Sequence, residues 1–228
     1  MEEFKVQVAN EGHKHLAEAI CKEMEESAKA RGTGIAKRNP DYIRQKMEEG
    51  KAIIATTKAG EFAGFCYLET WGHGKYVSNS GLIVAPQFRK SGLATKIKIK
   101  AFNYTRKKYP DAKLFGLTTS AAVMKINSEL GYRPVHFTEL TDDDQFWKGC
   151  SSCVNYSILQ SKDRKLCLCT GMLYDPVEKK EKKWDFIKKS KVWERLQRIK
   201  DVVLLKPLLK KLVDASLHIK GLFKLKYQ

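Results

Sequence analysis

A basic, glycine-containing turn lies between an apolar strand and a helix, and its residue types suit the binding of a phosphate. The segment Gly81-Leu-Ile-Val-Ala-Pro-Gln-Phe-Arg-Lys-Ser-Gly92 stops being strand-like at Pro86, and a helix begins directly after Gly92. Backbone N–H groups at a helix start point toward an incoming anion, and a glycine lets the backbone approach it without a Cβ. Arg89 and Lys90 add positive charge. The pattern predicts a pyrophosphate site, with an ordinary basic surface turn as the alternative.

The same turn resembles the acyl-CoA signature of the GNAT superfamily of N-acyltransferases. Arg89-x-x-Gly92-x-Ala94 matches that signature, and residues 123–132, which end in Gly131-Tyr132, resemble the second CoA-contacting helix of the family. The resemblance covers roughly residues 4–140. It implies that strand backbone binds the pantetheine arm and that the turn binds the pyrophosphate of acetyl-CoA or another acyl-CoA such as succinyl-CoA. The residues that it assigns to the cofactor are Leu82, Ile83, Val84, Gln87, Arg89, Lys90, Ser91, Gly92, Leu93, Ala94, Thr95 and Asn127.

The sequence departs from the family pattern at the acid and the base of the expected reaction. Many members of the family carry a proton-donating tyrosine where this chain has Asn127, and the strand at residues 77–84 contains no carboxylate. An asparagine cannot donate a proton as an acid, so another donor, water or a dipole must serve the leaving thiolate. Glu69 and His73 are the candidate catalytic bases, each with a plain structural reading as a strand-end carboxylate or a loop residue. Attack of an amine on a thioester also proceeds by positioning alone.

Cationic residues in a glycine-rich loop suggest an anionic substrate. Residues 31–38 read Arg-Gly-Thr-Gly-Ile-Ala-Lys-Arg, and Trp71 precedes the Gly-His-Gly loop. Arginine presents two parallel donors to a carboxylate, which suits a small amine such as an amino acid. A solvated basic loop is the alternative. The candidate substrate-binding residues are Arg31, Lys37, Arg38 and Trp71.

Four cysteines between residues 150 and 169 have a spacing that suits a metal ion. Cys150-Ser-Ser-Cys153 and Cys167-Leu-Cys169 together give a C-x₂-C and a C-x-C pair. Four thiolates close a tetrahedral structural zinc site, so we expect zinc here, with reduced thiols or an oxidised pair as alternatives. The Trp147-containing stretch around the first pair also resembles N-acetylglutamate-synthase-like GNAT proteins of the Bacteroides group. That second resemblance implies acylation of the α-amino group of glutamate, at the start of arginine biosynthesis.

Alternating elements place these residues on an α/β fold. The hydrophobic periodicity predicts strands at 4–9, 51–57, 61–69, 77–84, 113–118 and 132–137. It predicts helices after Asn10, from Asn39-Pro40 to Met47, over 93–108 and over 120–130. This order predicts a mixed α+β sheet of the GNAT-like acyltransferase type whose later strands run parallel. We expect an acyltransferase domain at 1–140, a Cys-rich segment of the same domain at 141–176 and a basic helical extension at 177–228.

The net charge of +17 is concentrated in the extension. Residues 177–228 carry 16 Lys and Arg against 6 Asp and Glu, a net of +10. Residues 184–226 have helical apolar spacing, so they suit an anionic membrane surface; packing on the catalytic domain or on a second subunit of a homodimer is the reading we favour. No nucleic-acid motif is present. The N-terminus lacks an apolar export signal, so we expect a cytoplasmic protein.

Three functional hypotheses follow. The first is a small-molecule N-acyltransferase for glutamate, and the second is an N-acyltransferase for another amine, such as a protein or a cell-envelope precursor. The third is an acyl-CoA-binding protein without catalysis, which agrees with Asn127 and with the missing strand carboxylate.

Overall fold

The computed structural model describes residues 3–32 and 37–178, and Met1–Pro176 forms one compact unit. The predicted extension helices at 184–226 lie outside the described residues. In the described part, no helix is long and apolar enough to cross a membrane. The strands are β1 Lys5–Val8, β2 Ala52–Thr56, β3 Phe62–Trp71, β4 Tyr76–Val84, β5 Lys113–Thr118, β6 Arg133–Val135 and β7 Thr170–Tyr174. The helices are α1 Ala17–Arg31, α2 Pro40–Glu48, α3 Leu93–Lys108, α4 Ala121–Glu129, α5 Asp144–Lys148 and α6 Tyr156–Ser161.

The strands form one seven-stranded mixed sheet in the order β1-β2-β3-β4-β5-β7-β6. The mixed α/β sheet is confirmed, and the three later strands that the sequence predicted, β4, β5 and β6, run in the same direction, although only β4 and β5 pair directly in parallel. Strand β7 lies between β5 and β6 and is antiparallel to both. The sequence did not predict β7, because its five residues follow a Cys-rich stretch and are too few for a clear alternation of apolar and polar positions.

Local signals in the sequence account for the helix starts. The Asn39 side chain accepts a hydrogen bond from the Asp41 N–H, with Pro40 in the first turn of α2. The Ser120 hydroxyl accepts one from the Val123 N–H at the start of α4. Asn10 caps a 3₁₀ helix, Glu11–Leu16, instead of the α-helix that we expected directly after it. Helix α1 therefore begins only at Ala17.

Both faces of the central sheet are covered. Successive side chains of a strand point to opposite faces, and all five residues of β2 are buried. The principal core combines Ile20 of α1, Ile43 of α2 and Ile97 of α3 with the strand residues. Because both faces are covered, a ligand can reach the backbone in the middle of the sheet only where two neighbouring strands separate.

Strands β4 and β5 separate in the middle of the sheet. They pair in parallel only over residues 76–78 and 113–115, after which residues 116–118 of β5 pair with β7 alone. On the other side of β4, a β-bulge places Gly81 and Leu82 opposite Cys66 of β3. Gly81 has a φ of +64°, and a Cβ there would lie 2.5 Å from the Tyr67 ring. The glycine thus permits the bulge that turns the free edge of β4 toward the opening.

Candidate active site

A cavity of about 230 Å³ lies where β4 leads into α3. Its position coincides with the strand and turn that the sequence analysis assigned to acyl-CoA. The Ala85 N–H donates to the Ala63 carbonyl of β3. Because N–H groups alternate along a strand, the N–H groups of Leu82 and Val84 face the open edge, and that of Ile83 faces β3. The lining residues are Leu82, Ile83, Val84, Phe88, Arg89, Lys90, Leu93, Ala94, Ala122 and Val123.

The turn before α3 leaves the helix start open. Lys90 and Gly92 have left-handed backbone conformations, with φ of 63° and 77°. Gly92 is the N-cap and brings no capping side chain, so the N–H groups of Leu93, Ala94 and Thr95 have no intrahelical partner. A Cβ at Gly92 would meet no atom within 4 Å. The 16-residue helix thus presents free donors and its positive dipole end to open space.

Three of the predicted cofactor residues have partners within the protein. Arg89 donates to Glu23 at 2.8 Å and to the Ser27 hydroxyl at 2.7 Å, which ties the turn to α1. Gln87 donates to Glu61 at 3.0 Å, and the Ser91 hydroxyl donates to the Phe88 carbonyl at 2.6 Å. These side chains shape the turn, while the backbone N–H groups and Lys90 remain directed outward.

A second cavity of about 340 Å³ joins the first at Leu82 and Val123, which line both. It lies at the opening between β4 and β5. Its walls come from the sheet, from α1, α3 and α4, and from the segment after α5. The lining residues are Met24, Arg38, Tyr67, Glu69, Trp71, Ser78, Asn79, Ser80, Gly81, Leu82, Lys98, Gly116, Leu117, Thr118, Thr119, Ser120, Val123, Asn127, Phe146, Gly149, Cys150, Cys153 and Cys169.

Glu69 and Arg38 bring opposite charges to this second cavity. The Lys46 ammonium lies 3.3 Å from the Glu69 carboxylate, whose side chain is 15% exposed. Burial raises the pKa of Tyr42, and a hydrogen bond to Glu69 raises it further, so its hydroxyl stays protonated. Arg38 donates to the Tyr67 hydroxyl at 2.8 Å, and no carboxylate of the described residues lies within ion-pair distance of it. The cavity therefore offers one carboxylate and one guanidinium available to a ligand.

The other predicted base and substrate residues are spread more widely. His73 lies in an exposed turn with a φ of 56° and lines neither cavity. Trp71 lines the second cavity and donates its indole N–H to the Ser78 hydroxyl at 2.8 Å. Lys37 is exposed, with its ammonium 3.4 Å from Glu25. The side chain of Arg31 lies outside the described part of the chain.

Several buried polar groups in the second cavity lack partners. Asn79 is 7% exposed and Asn127 is 2% exposed. Neither polar atom of the Asn79 amide has a hydrogen-bond partner among the described residues, nor has the Asn127 amide oxygen. A buried polar atom without a partner costs about 1–3 kcal/mol. These groups therefore suit a ligand that hydrogen-bonds to them, and only Asn127 was predicted as a site residue.

The cysteine cluster is not a metal site in this structure. Within residues 3–32 and 37–178, no group of three or more His, Cys, Asp or Glu side chains is arranged to hold a metal ion. The zinc prediction is therefore not supported. Burial raises the pKa of Cys150 to about 11 and that of Cys169 to about 12, which keeps both as neutral thiols. Cys150, Cys167 and Cys169 pack against an apolar cluster that includes Phe115 and Trp147, and this explains the preference for thiols over thiolates.

Comparison with known proteins identifies the fold. No family model matches the chain, and no curated protein matches its sequence. Among solved structures, N-acetylglutamate synthase from Neisseria gonorrhoeae, complexed with coenzyme A and N-acetyl-glutamate, superposes with a TM-score of 0.55 at 16% identity. That match covers 77% of this chain but 35% of the synthase, so this chain spans about a third of the synthase's length.

Two further structures match over most of their own length. The structure of yncA from Salmonella typhimurium with its cofactor acetyl-CoA has a TM-score of 0.52 at 15% identity, covering 76% of this chain and 94% of yncA. An acetyltransferase of the GNAT family from Staphylococcus aureus has a TM-score of 0.50 at 13% identity, covering 62% of this chain and 91% of the other. The chain therefore has the GNAT-like acetyltransferase fold that the sequence predicted. At these identities the similarity establishes the fold alone.

Proposed function

We propose that this protein transfers an acyl group from acyl-CoA to a primary amine. The observation that carries the proposal is the free edge of β4, which is followed, after the turn at residues 85–92, by the uncapped N-terminus of α3. An acyl-CoA needs both features, because its pantetheine arm carries amide groups and its pyrophosphate carries negative charge. The likeness to solved structures that contain CoA or acetyl-CoA supports the same ligand.

The cofactor would lie along the two joined cavities. The pantetheine amides would pair with the open backbone edge at residues 82–84, and the pyrophosphate would accept hydrogen bonds from the N–H groups of Leu93, Ala94 and Thr95. Lys90, exposed beside this helix start, adds a positive charge. The thioester then reaches the junction at Leu82 and Val123, where the second cavity begins.

Glu69 is the base that the geometry favours over His73, because Glu69 lines the second cavity and His73 lines neither cavity. The carboxylate takes a proton from the substrate ammonium, directly or through water, and the neutral amine attacks the thioester carbonyl. Lys46 and the Tyr42 hydroxyl hold the carboxylate in position. The Leu82 N–H faces the open edge at the cavity junction and is placed to stabilise the oxyanion.

We propose an anionic amine, with glutamate as the first choice, as the acceptor. Arg38 faces the cavity without a carboxylate partner among the described residues and is oriented by Tyr67, so it suits the carboxylate of an amino acid. The Neisseria synthase solved with N-acetyl-glutamate supports this choice. With glutamate as acceptor, the reaction would serve arginine biosynthesis.

Thiol release from acetyl-CoA and succinyl-CoA, measured against a panel of amino acids and neutral amines, tests the proposal. We expect release with anionic amino acids, glutamate above all, and little release with neutral amines. Release with neutral or macromolecular amines alone would retain the acyltransfer reaction and reject the anionic acceptor. Tight CoA binding with no release on any amine would contradict catalysis and would leave a CoA-binding protein, the reading that Asn127 favours.

A further inference from the structure

Lys98 of α3 is a buried lysine in the wall of the second cavity. Its residue is 2% exposed, and no carboxylate among the described residues lies within ion-pair distance of its ammonium. Lys46 is nearly as buried, but it has Glu69 at 3.3 Å. Burying an ammonium is unfavourable unless it is paired. The burial of Lys98 in a cavity wall without a carboxylate partner among the described residues suits a ligand that brings negative charge to it.

The groups around Lys98 are neutral or distant. Its ammonium lies 5.6 Å from the centre of the Tyr132 ring, and burial raises the pKa of Tyr132, so that hydroxyl is neutral. From β3, the buried Cys66 thiol faces it, and burial raises the pKa of this thiol to about 11. Arg38 and Glu69 are the charged residues that line the same cavity. Burial in turn lowers the pKa of Lys98, which makes its ammonium a stronger acid than an exposed lysine.

Helices α3 and α4 each line the first cavity with one residue and the second cavity with the residue four positions later. On α3, Ala94 lines the first cavity and Lys98, one turn later, lines the second. On α4, Val123 lines both cavities and Asn127, one turn later, lines the second. Residues four apart share a helix face, so Lys98 and Asn127 both lie just past the cavity junction. In the proposed function this junction holds the thioester.

We propose that Lys98 is the catalytic acid that protonates the departing CoA thiolate, an inference that rests on the proposed acyltransfer function. Asn127 cannot supply a proton, and Lys98 is the cation on the neighbouring helix at the corresponding depth. The amine nitrogen forms its bond to the carbonyl carbon, and the C–S bond breaks with its electron pair on sulfur. The sulfur takes a proton from the Lys98 ammonium, and the neutral lysine regains one from the proton that the attacking nitrogen releases.

The ionisation of bound CoA tests the placement of Lys98 without any amine substrate. Thiolate absorbance is followed against pH for CoA bound to the full-length protein, to Lys98→Met and to Lys100→Met. Lys100 is an exposed lysine of the same helix and serves as the matched control. A cation beside a thiol lowers the thiol pKa by about one to three pH units. We expect this lowering in the wild type and in Lys100→Met, and its loss in Lys98→Met. Equal titration in all three proteins would overturn the proposal.

Steady-state kinetics test the proton transfer itself. Lys98→Met should lower kcat about 100-fold, the scale of one general acid, with KM for acyl-CoA close to the wild-type value. The wild-type kcat should fall at alkaline pH because Lys98 loses its proton. This fall should be absent in Lys98→Met. If the wild type is active and Lys98→Met has the same kcat, the proposed role of Lys98 is wrong, while the proposed acyltransfer function stands. A wild type that binds CoA but turns over no amine rejects the proposed function, and the thiol titration then still decides where Lys98 lies. Thermal unfolding of each variant verifies the fold.

Discussion

At the scale of single residues, the site depends on how three cations are partnered. Lys46 is paired with Glu69, Arg38 is oriented by a neutral tyrosine, and Lys98 has no carboxylate nearby among the described residues. The ion pair with Lys46 fixes the Glu69 carboxylate at the cavity wall. The other two cations remain available to negative charge, which the substrate and the departing thiolate would supply.

Replacing Glu69 by glutamine should lower kcat about 100-fold, because an amide cannot accept the proton of the substrate ammonium. CoA affinity should not change, since Glu69 does not line the first cavity, where the cofactor is proposed to bind. Steady-state kinetics and calorimetric titration of CoA provide the two numbers. Glu49→Gln is the control, because Glu49 also contacts Lys46, at 3.9 Å, but lies outside the lining of both cavities. Normal turnover by the Glu69→Gln protein would show that Glu69 is not the catalytic base.

Replacing Arg38 by methionine should raise KM for an anionic amine by about 10-fold or more, because a hydrogen bond to a charged group contributes about 1.5–3 kcal/mol. KM for acyl-CoA should be unaffected. Arg44→Met is the control, since Arg44 forms its ion pairs with Glu18 and Asp41 away from the cavity. Kinetics with glutamate as the varied substrate measure the effect. Equal KM values for the Arg38 variant and the wild type would show that the acceptor's carboxylate binds elsewhere.

The sequence identified some of these residues and missed others for a physical reason. Glu69, Arg38 and Asn127 were predicted because a strand end, a Gly-rich loop and a family motif drew attention to them. Lys98 was missed because α3 carries many lysines, and the sequence does not show which of them faces inward. The burial of Asn79 depends on the separation of β4 from β5, which is a tertiary property. His73 stays a prediction that the geometry does not favour.

At the scale of elements, the turn before α3 combines an unusual backbone with open space. Gly92→Ala should weaken CoA binding, because its Cβ would project toward the pyrophosphate from a backbone with a φ of +77°. Gly60 is the matched control, since its φ is +86° and its Cβ would also meet no atom within 4 Å. Each variant should lose about 1 kcal/mol of stability from backbone strain. Calorimetric titration should show weaker CoA binding for Gly92→Ala only; equal affinity in both variants would contradict the assigned site.

Elements with strong local signals were predicted well, and those that depend on distant pairing were not. Helix α3 matches its predicted bounds, because a glycine precedes it and a Tyr-Pro sequence follows it. Strand β5 also matches. Strand β7 was missed because its place between β5 and β6 is set by a register with segments far away in the sequence. That strand closes the cysteine segment onto the sheet, which brings Cys169 to the cavity.

At the scale of the whole molecule, the described residues contain all the parts that the proposed reaction uses. Every residue of both cavities lies within Met1–Pro176. The boundaries of the three predicted segments, the cytoplasmic location, dimerisation and contact of the basic extension with a membrane surface stay predictions from the sequence. The +10 charge of residues 177–228 has no assigned role in the acyltransfer step.

Hydrogen exchange of the full-length protein with and without CoA tests most directly the central claim that acyl-CoA binds along β4 and the start of α3. We predict that CoA slows exchange at the N–H groups of Leu93, Ala94 and Thr95 and at those of Leu82 and Val84. The hairpin turn at residues 57–60, which lines neither cavity, should exchange at the same rate in both states. Unchanged exchange at the β4 edge and the α3 start under saturating CoA would contradict the account.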